Sequence, residues 1–368
     1  MAATPIDPRV AERHRAAMAE HAANPHSVEH KAGADAQAAI DRAARAIVSS
    51  TGSQAEDVTF TPGASAALWL AVEDAISRVT GRPARIAATA VEHPALLAAL
   101  CRAEREGRVC LTLLPVDDTA APRLDAIEAV LASGADLLCT MAANNEIGTV
   151  TDIAAIAALA ARFGARHLVD ASQAAGRIDM SGAAADLIVL SGAKVYGPRR
   201  VGALVGSLGR HAADLAHDVF GSPDAPAATA LAFALELRDA EREIDEARLA
   251  GLRDLLEERL LAGVSGLRVN GASNARLAGS LHVSTPHLPG EAAVCRLWGR
   301  VAVSTGAACQ SGVPGPSHVL SAMDIPGWAR EGAVRIGLGR FNTEAEIDEA
   351  GVLIAAALNA TDLARRRA

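Results

Sequence analysis

The chain reads as an α/β protein: a mainly parallel sheet of seven strands flanked by helices, followed by a smaller α+β unit. Two observations predict this. Between residues 58 and 205, short apolar and β-branched runs alternate with helical patterns, which is how βαβ units are written in sequence. Four of those runs end in polar residues, Glu92-His93, Asn144-Asn145-Glu146, Asp170-Ala171-Ser172-Gln173 and Ser191 to Lys194. Parallel sheets collect their ligands at that carboxyl edge. At 368 residues, half of them hydrophobic, the chain suits two domains of ordinary size. The expected division is a large domain over 6–243, and a small one made of 1–5 and 244–368.

Taken in order, Asp7-Pro8 and an alanine-rich run to Ala22 predict a capped helix with proline in its first position. Asn24-Pro25-His26-Ser27 ends it, and a second amphipathic helix spans Ala34 to Ser50. Val58-Thr59-Phe60 is a strand feeding Thr61-Pro62-Gly63-Ala64-Ser65, a glycine turn that opens a helix. The first N–H groups of such a helix favour a phosphate. Strands follow at Arg85 to Thr89, Cys110 to Leu114, Asp136 to Met141, His167 to Asp170, Asp186 to Leu190 and Val201 to Val205, with helices from Pro94, Leu124 and Ile153. After Pro226 a long charged helical stretch leads into the second unit. There, strands are expected at Gly266 to Val269, Leu281 to Ser284, Val301 to Ser304 and Ala333 to Leu338, and helices from Gly290, Pro316 and Thr343.

Composition excludes several functions. A formal net charge of -8 gives no general attraction to nucleic acid or anionic lipid. Met1 to Pro8 shows no cationic stretch followed by an apolar one, and no apolar run reaches about 18 residues, so no membrane span is expected. A soluble, cytoplasmic protein is the expectation. Aromatic residues make up 2%, which leaves Ala, Leu, Val and Ile to fill the core. Five scattered cysteines without CxxC spacing argue against a disulfide framework and against a zinc knuckle. Cys101, Cys110, Cys139 and Cys295 lie in apolar patterns and are expected as small core residues. His14, His21, His211 and His217 lie in helical patterns and are expected at the surface.

Lys194 follows a buried strand and sits between Ser191-Gly192 and Gly197-Pro198. A lysine carried past the end of an apolar strand loses hydration, and its amine can then attack a carbonyl. A snorkelling surface lysine is the alternative. Asp170 ends the strand His-Leu-Val-Asp and is either a helix cap or the partner of a buried cation. On neighbouring strand ends, the two form the pair that pyridoxal 5′-phosphate requires: a Schiff-base lysine and an acid for the pyridinium nitrogen. Cys309 lies in a stretch of Gly, Pro and small residues from Gly306 to Pro316, which reads as a loop. A loop thiol without a role is the alternative there.

Six segments together resemble the cysteine desulfurases of the class V aminotransferase family, in the group that supplies sulfur for iron-sulfur cluster assembly. They are Val-Glu-His-Pro at 91–94, Asn-Asn-Glu-Ile-Gly at 144–148, Val-Asp-Ala-Ser-Gln at 169–173, Ser-Gly-Ala-Lys-Val-Tyr-Gly-Pro at 191–198, Ser-Thr-Gly-Ala-Ala-Cys at 304–309 and Val-Arg-Ile-Gly-Leu-Gly-Arg-Phe-Asn-Thr at 334–343. The resemblance implies the type I fold of pyridoxal-phosphate transferases and a homodimer. It implies that Lys194 holds the cofactor, Asp170 pairs with the pyridinium, His93 stacks on the ring and moves protons, and Gln173 bonds the phenolic oxygen. Ala64, Ser65 and Ser191 would hold the phosphate. Asn145 and Arg335 would bind the amino-acid carboxylate, with Asn145 also beside the cofactor. Cys309, in the small domain, would take sulfur from L-cysteine as a persulfide, leaving alanine, and pass it to an acceptor or scaffold protein.

The chain departs from the family at several points. Ala193 stands where relatives carry a phosphate-binding histidine, and the segment from Gly206 to Pro226 is shorter than theirs. Ser222 there would do the work of a threonine that reaches the partner's phosphate. The helix opening reads Gly-Ala-Ser-Ala-Ala rather than Gly-Ala-Thr-Glu-Ser, and the usual first strand before Ala3-Thr4-Pro5 is missing. His26 and His30 match a family segment beside the active site, and Arg340 is expected to brace the small domain. Two other readings stand beside desulfuration: a class V enzyme acting on selenocysteine, and a degenerate non-catalytic partner subunit.

Overall fold

The computed structural model describes residues 3–306 and 317–359. Helix α1 (Pro8–Glu20) begins at Asp7, whose carboxylate accepts the Arg9 N–H at 2.9 Å. Proline in the first turn is tolerated there because its missing N–H would have had no helical partner. Helix α2 (Lys31–Thr51) follows, ended by Gly52 in the left-handed conformation. Then come β1 (Val58–Thr61), α3 (Ala64–Ser77), β2 (Ala84–Thr89), α4 (Pro94–Arg105), β3 (Val109–Leu114), α5 (Leu124–Ala132), β4 (Leu137–Met141), α6 (Ile153–Phe163), β5 (Arg166–Asp170), β6 (Leu187–Ser191) and β7 (Gly202–Val205). Every strand expected in this part forms.

These seven strands make one sheet in the order β1-β7-β6-β5-β4-β2-β3. The five from β2 to β6 pair in parallel, and β7 runs antiparallel to both β6 and β1. Because β1 and β6 both oppose β7, they point the same way. Their carboxyl ends therefore share one edge with those of β2, β4 and β5. Helices cover both faces. On one, Val10, Ile47, Val169, Ile188 and Leu231 pack together; on the other, Leu68, Leu96, Leu100, Leu137 and Leu187 do. These layers are aliphatic, as the scarcity of aromatic residues predicts.

Helix α7 (Arg210–Phe220) precedes α8 (Ala225–Gly263), whose 39 residues span about 58 Å at 1.5 Å per residue. The start of α8 packs into the core around the large sheet through Ala228 and Leu235, and its end packs into another through Leu249, Leu256 and Leu260. That second core covers a three-stranded antiparallel sheet, β10-β9-β8. Its elements are β8 (Arg268–Val269), β9 (Ser280–Ser284), α9 (Gly290–Leu297), α10 (His318–Ala322), α11 (Gly327–Glu331), β10 (Ala333–Gly337) and α12 (Glu344–Asn359). Thr343 and Glu346 form a reciprocal cap for α12, each side chain accepting the other's N–H at 3.3 and 3.0 Å.

Three expectations need correction. Val301 to Ser304 forms no strand; Ser304 makes a single bridge to Arg335, and Gly306 then turns at φ 91°. Of the four cysteines expected inside, only Cys139 is buried, while Cys101, Cys110 and Cys295 are exposed. The core face of α4 is Leu96, Leu100 and Ala103, so Cys101 falls outside that stripe, and β3 lies at the edge of its sheet. His21 is half-buried rather than at the surface: its side chain is 10% exposed, Nε2 lies 3.7 Å from Glu20 Oε2, and neither ring nitrogen makes a hydrogen bond. Arg340 does brace: it bonds Asp7, Glu241 and Asp245, joining the small sheet to α8 and to the N-terminal segment.

Candidate active site

A cavity of about 280 Å³ opens at the carboxyl edge of the large sheet, near the lower size of small-molecule sites, roughly 300 Å³. Each expected strand end contributes to its wall. From β1 and α3 come Gly63, Ala64 and Ser65; after β2 comes His93, after β4 Asn145, after β5 Asp170 and Gln173, and after β6 Ser191, Ala193 and Lys194. The register makes this convergence possible, since Met141 pairs with Asp170 and Asp170 with Val189. Arg335 enters from β10 of the other sheet and completes the wall.

Lys194 ends a 3₁₀ turn, Gly192–Lys194, directly after β6. The chain on either side is pinned by Thr4, which donates from its N–H and Oγ1 to the Ala193 carbonyl at 2.9 and 3.1 Å and accepts the Tyr196 N–H at 2.9 Å. Thr4 is buried, so the segment before α1 has a structural task. Asp170 is buried and takes the Ser172 N–H at 2.9 Å. This short local bond leaves acceptor capacity on the carboxylate.

His93 caps α4 by accepting the Ala95 N–H on Nδ1 at 3.1 Å. A neutral ring with Nδ1 accepting carries its proton on Nε2. Burial pushes its pKa below the usual value; Asp170 draws it up, and Lys194 and His318 press it down. His93 is therefore neutral at pH 7, and Nε2 is the atom able to exchange a proton. Just before it, Glu92 is fully buried, with Oε1 accepting Thr89 Oγ1 at 2.5 Å and the Met141 N–H at 3.0 Å. Burial, then the nearby Asp170, pushes its pKa up to about 8.

The amino-terminal turn of α3 has no side-chain cap at Gly63. Its open N–H groups and the hydroxyl of Ser65 suit an anion. Strand β7 lies close beneath: a Cβ on Gly202 would come within 2.7 Å of the Gly63 carbonyl carbon and 2.9 Å of the Ala64 nitrogen. Glycine at 202 is thus what lets the turn sit at this depth. Arg335 is buried and donates from Nη1 to the Asn145 carbonyl at 3.2 Å, while Asn145 Oδ1 is buried without a partner.

The residues fit a cofactor that offers an anionic group, an aromatic ring and an electrophilic carbon. Open helix N–H groups lie at one end of the cavity, an amine and a carboxylate on neighbouring strand ends, and unpartnered polar atoms on Asn145 and Ser172. Among the described residues no cluster of three or more His, Cys, Asp or Glu could hold a metal ion. Ser222 does not line this cavity; its Oγ lies 3.1 Å from Nδ1 of His26 at the surface. Cys309 lies outside the described residues.

Residues 1–216 match the family model described as Aminotransferase class-V. The chain belongs to that family. It is 33% identical to a cysteine desulfurase IscS of Shewanella woodyi, over 95% of this chain and 89% of the relative. To a cysteine desulfurase of Rattus norvegicus it is 30% identical, over 94% and 79% of the two chains. Among solved structures, a NifS-like protein superposes with a TM-score of 0.85 at 25% identity, covering 97% of both chains. Members of the family work with pyridoxal 5′-phosphate, and the chemistry lining the cavity agrees with that.

The structure places three further residues against the site, of which Arg177 and His282 lie outside every motif. Arg177 contacts both Gln173 and Lys194; its only signal is the four-residue spacing from Gln173. Glu146 is buried, with a pKa raised by burial and drawn back by Ser317, His318 and Arg335. His282 pairs with Arg335 across β9 and β10, and burial pushes its pKa down to about 3.

Proposed function

We propose that the chain is a pyridoxal 5′-phosphate-dependent cysteine desulfurase that converts L-cysteine to L-alanine and receives the sulfur on Cys309 as a persulfide for acceptor proteins. The observation that carries this is the convergence of Lys194, Asp170, His93 and Gln173 at one sheet edge, opposite Arg335. Bound pyridoxal phosphate supplies an electron sink for the substrate's α-carbon. Lys194 would hold the cofactor covalently, and its amine and His93 Nε2 would take up and return the proton of the substrate's α-carbon. Asp170 keeps the ring nitrogen protonated, since a buried carboxylate favours a nearby cation. Gln173 donates to the phenolic oxygen. The α3 amides, Ser65 and Ser191 hold the phosphate, and the Arg335 guanidinium grips the substrate carboxylate, with Asn145 beside it. Cys309 thiolate attacks the substrate sulfur; the Cβ–S bond breaks, and proton transfer to carbon gives alanine.

Other parts of this reading rest on the family and on placement. The division into a large domain over 6–243 and a small domain of 1–5 and 244–368 is supported by the two hydrophobic cores that share α8. A homodimer is supported by Ser222 and His26 lying together at the surface, where a second chain's cofactor phosphate could be met. A cytoplasmic setting is supported by the four cysteines among the described residues, none of which is in a disulfide; no helix among the described residues is long and apolar enough to cross a membrane. The acceptor would be a scaffold for iron-sulfur clusters. The test is incubation with L-cysteine and a reductant, measuring sulfide and alanine for the parent, Lys194→Ala and Cys309→Ala. Lys194→Ala loses both products; Cys309→Ala stops sulfur release and keeps the cofactor colour. A parent that forms neither product overturns the reading.

A further inference from the structure

Arg177 belongs to none of the motifs and does not line the cavity, yet it holds two residues that do. Its Nη1 donates to Gln173 Oε1 at 3.2 Å, and its Nη2 donates to the Lys194 carbonyl at 2.9 Å. A guanidinium has five N–H donors and no acceptor, so the amide atom facing it must be oxygen. That contact settles the orientation of the Gln173 amide. With Oε1 committed, what Gln173 can offer the cavity is its NH₂ group, and at 3% exposure the side chain is not free to turn over in solvent.

The turn that carries Arg177 is built for this placement. Its N–H bonds the Ala174 carbonyl at 2.9 Å. At Gly176, φ is 64° and a Cβ would come within 2.5 Å of Arg238 Cβ, so the chain passes too close to α8 for any other residue. Burial lowers the Arg177 pKa, while Tyr196 and Glu246 oppose that; arginine stays charged under such pressure.

We infer that Arg177 is a positioning residue that fixes Gln173 as a hydrogen-bond donor to the cofactor's phenolic oxygen and holds the Lys194 backbone beside it. This rests on the site being a pyridoxal-phosphate site. A donor on the phenolic oxygen draws off negative charge and makes the adjoining nitrogen, bonded to Lys194, less basic. A reversed amide would present oxygen lone pairs to a phenolate and do the opposite. One planar fork serves both contacts, which a lysine's point charge cannot do.

The experiment uses the holoprotein and four variants: Arg177→Met, Arg177→Lys, Gln173→Ala and the double variant Gln173→Ala/Arg177→Met. The readouts are the pH midpoint of the bound cofactor's long-wavelength absorbance and the dissociation constant of pyridoxal phosphate from the apoprotein. Asp170, His93 and Arg335 in the cavity wall, and Glu246, Arg238 and Tyr196 against Arg177, are unchanged throughout. Gln173→Ala raises the midpoint by about one pH unit, the size of a lost hydrogen bond to a charged form. Arg177→Met raises it equally, Arg177→Lys follows Arg177→Met, and the double variant shifts no further than either single. The dissociation constant rises in parallel. A midpoint unchanged in Arg177→Met, a shift that persists in full on the Gln173→Ala background, or recovery by Arg177→Lys overturns the inference. Should Arg177→Met not fold, Arg177→Lys takes its place in the cycle with the same expectation. A parent that binds no cofactor at all overturns the functional reading instead, and shows it before any substitution is made.

Discussion

Replacing Arg340 with methionine tests how the two sheets are tied together. The side chain is 6% exposed and reaches Asp7 at 2.7 Å, Asp245 at 3.0 Å through Nε, and Glu241 at 2.7 Å. Methionine keeps much of the packing against Tyr196, whose ring centroid lies 4.9 Å from the guanidinium carbon. No carboxylate is left alone, because Arg9 still holds Asp7 and Glu241, and Arg238 still holds Asp245. The loss is then one enclosed charge-assisted bond, about 1.5–3 kcal/mol, and two wetter ones that together add up to about 1 kcal/mol. Unfolding in urea, followed by tryptophan fluorescence, should show a loss of about 2–4 kcal/mol. The double variant Arg9→Met/Arg340→Met strands the buried Asp7 and should lose more than the sum of the singles, since an unpaired buried charge costs about 3–5 kcal/mol. The Arg9 hydrogen bond, aided by Arg340, holds the Asp7 pKa at about 2 against an ordinary 3.8. A depressed carboxylate stabilises above its unfolded pKa and loses that effect as pH falls through its folded one. The double variant should therefore differ most from the parent above pH 4, and the gap should close toward pH 2. A strictly additive double variant, or a single loss below about 0.5 kcal/mol, would refute the argument.

Four further outcomes are expected. Glu92→Gln preserves the acceptor oxygen used by Thr89 and Met141 and places an NH₂ on the unpartnered side. With a folded pKa of about 8 against 4.5, the parent loses stability as pH rises between those values, at up to about 1.4 kcal/mol per unit. The glutamine variant should lack that slope in urea titrations at stepped pH. Thr4→Val leaves the Tyr196 N–H without its partner and should cost about 1–3 kcal/mol, read as a lower unfolding midpoint together with faster cofactor loss. Gly202→Ala should push the α3 turn outward and weaken pyridoxal phosphate binding at least tenfold, about 1.4 kcal/mol, with far-UV circular dichroism unchanged. Finally, Ala193 supplies no phosphate bond, so cofactor absorbance should fall during prolonged dialysis and be retained longer in Ala193→His; full retention by the parent would remove that idea.

The sheet was legible because each strand is a short apolar run with its own boundary, and β5 and β6 end in residues that no core would choose. Asp170, Lys194, His93 and Gln173 could be found because strand ends concentrate polar residues where ligands bind. What sequence did not show depends on through-space contact. Arg177 is an ordinary arginine until the turn at Gly176 lays it against Gln173 and Lys194. His282 looks like a strand histidine until β9 pairs it with Arg335. The three exposed cysteines lie in runs whose apolar character is real, but the side turned to the core is set by neighbouring elements. Val301 to Ser304 has the composition of a strand and only a one-residue bridge, Ser304 to Arg335.

Helix α8 is an unbroken stack of hydrogen bonds that belongs at one end to the core beneath the large sheet and at the other to the core beneath the small one. Neither core can lose its share of that rod without unravelling turns on which the other depends. Their melting should be a single event, and a protease nicking the chain near residue 240 should yield two insoluble pieces rather than an independent fragment. Because Val334 and Ile336 of β10 belong to the core that the end of α8 anchors, the same rod also sets the position from which Arg335 reaches the cavity.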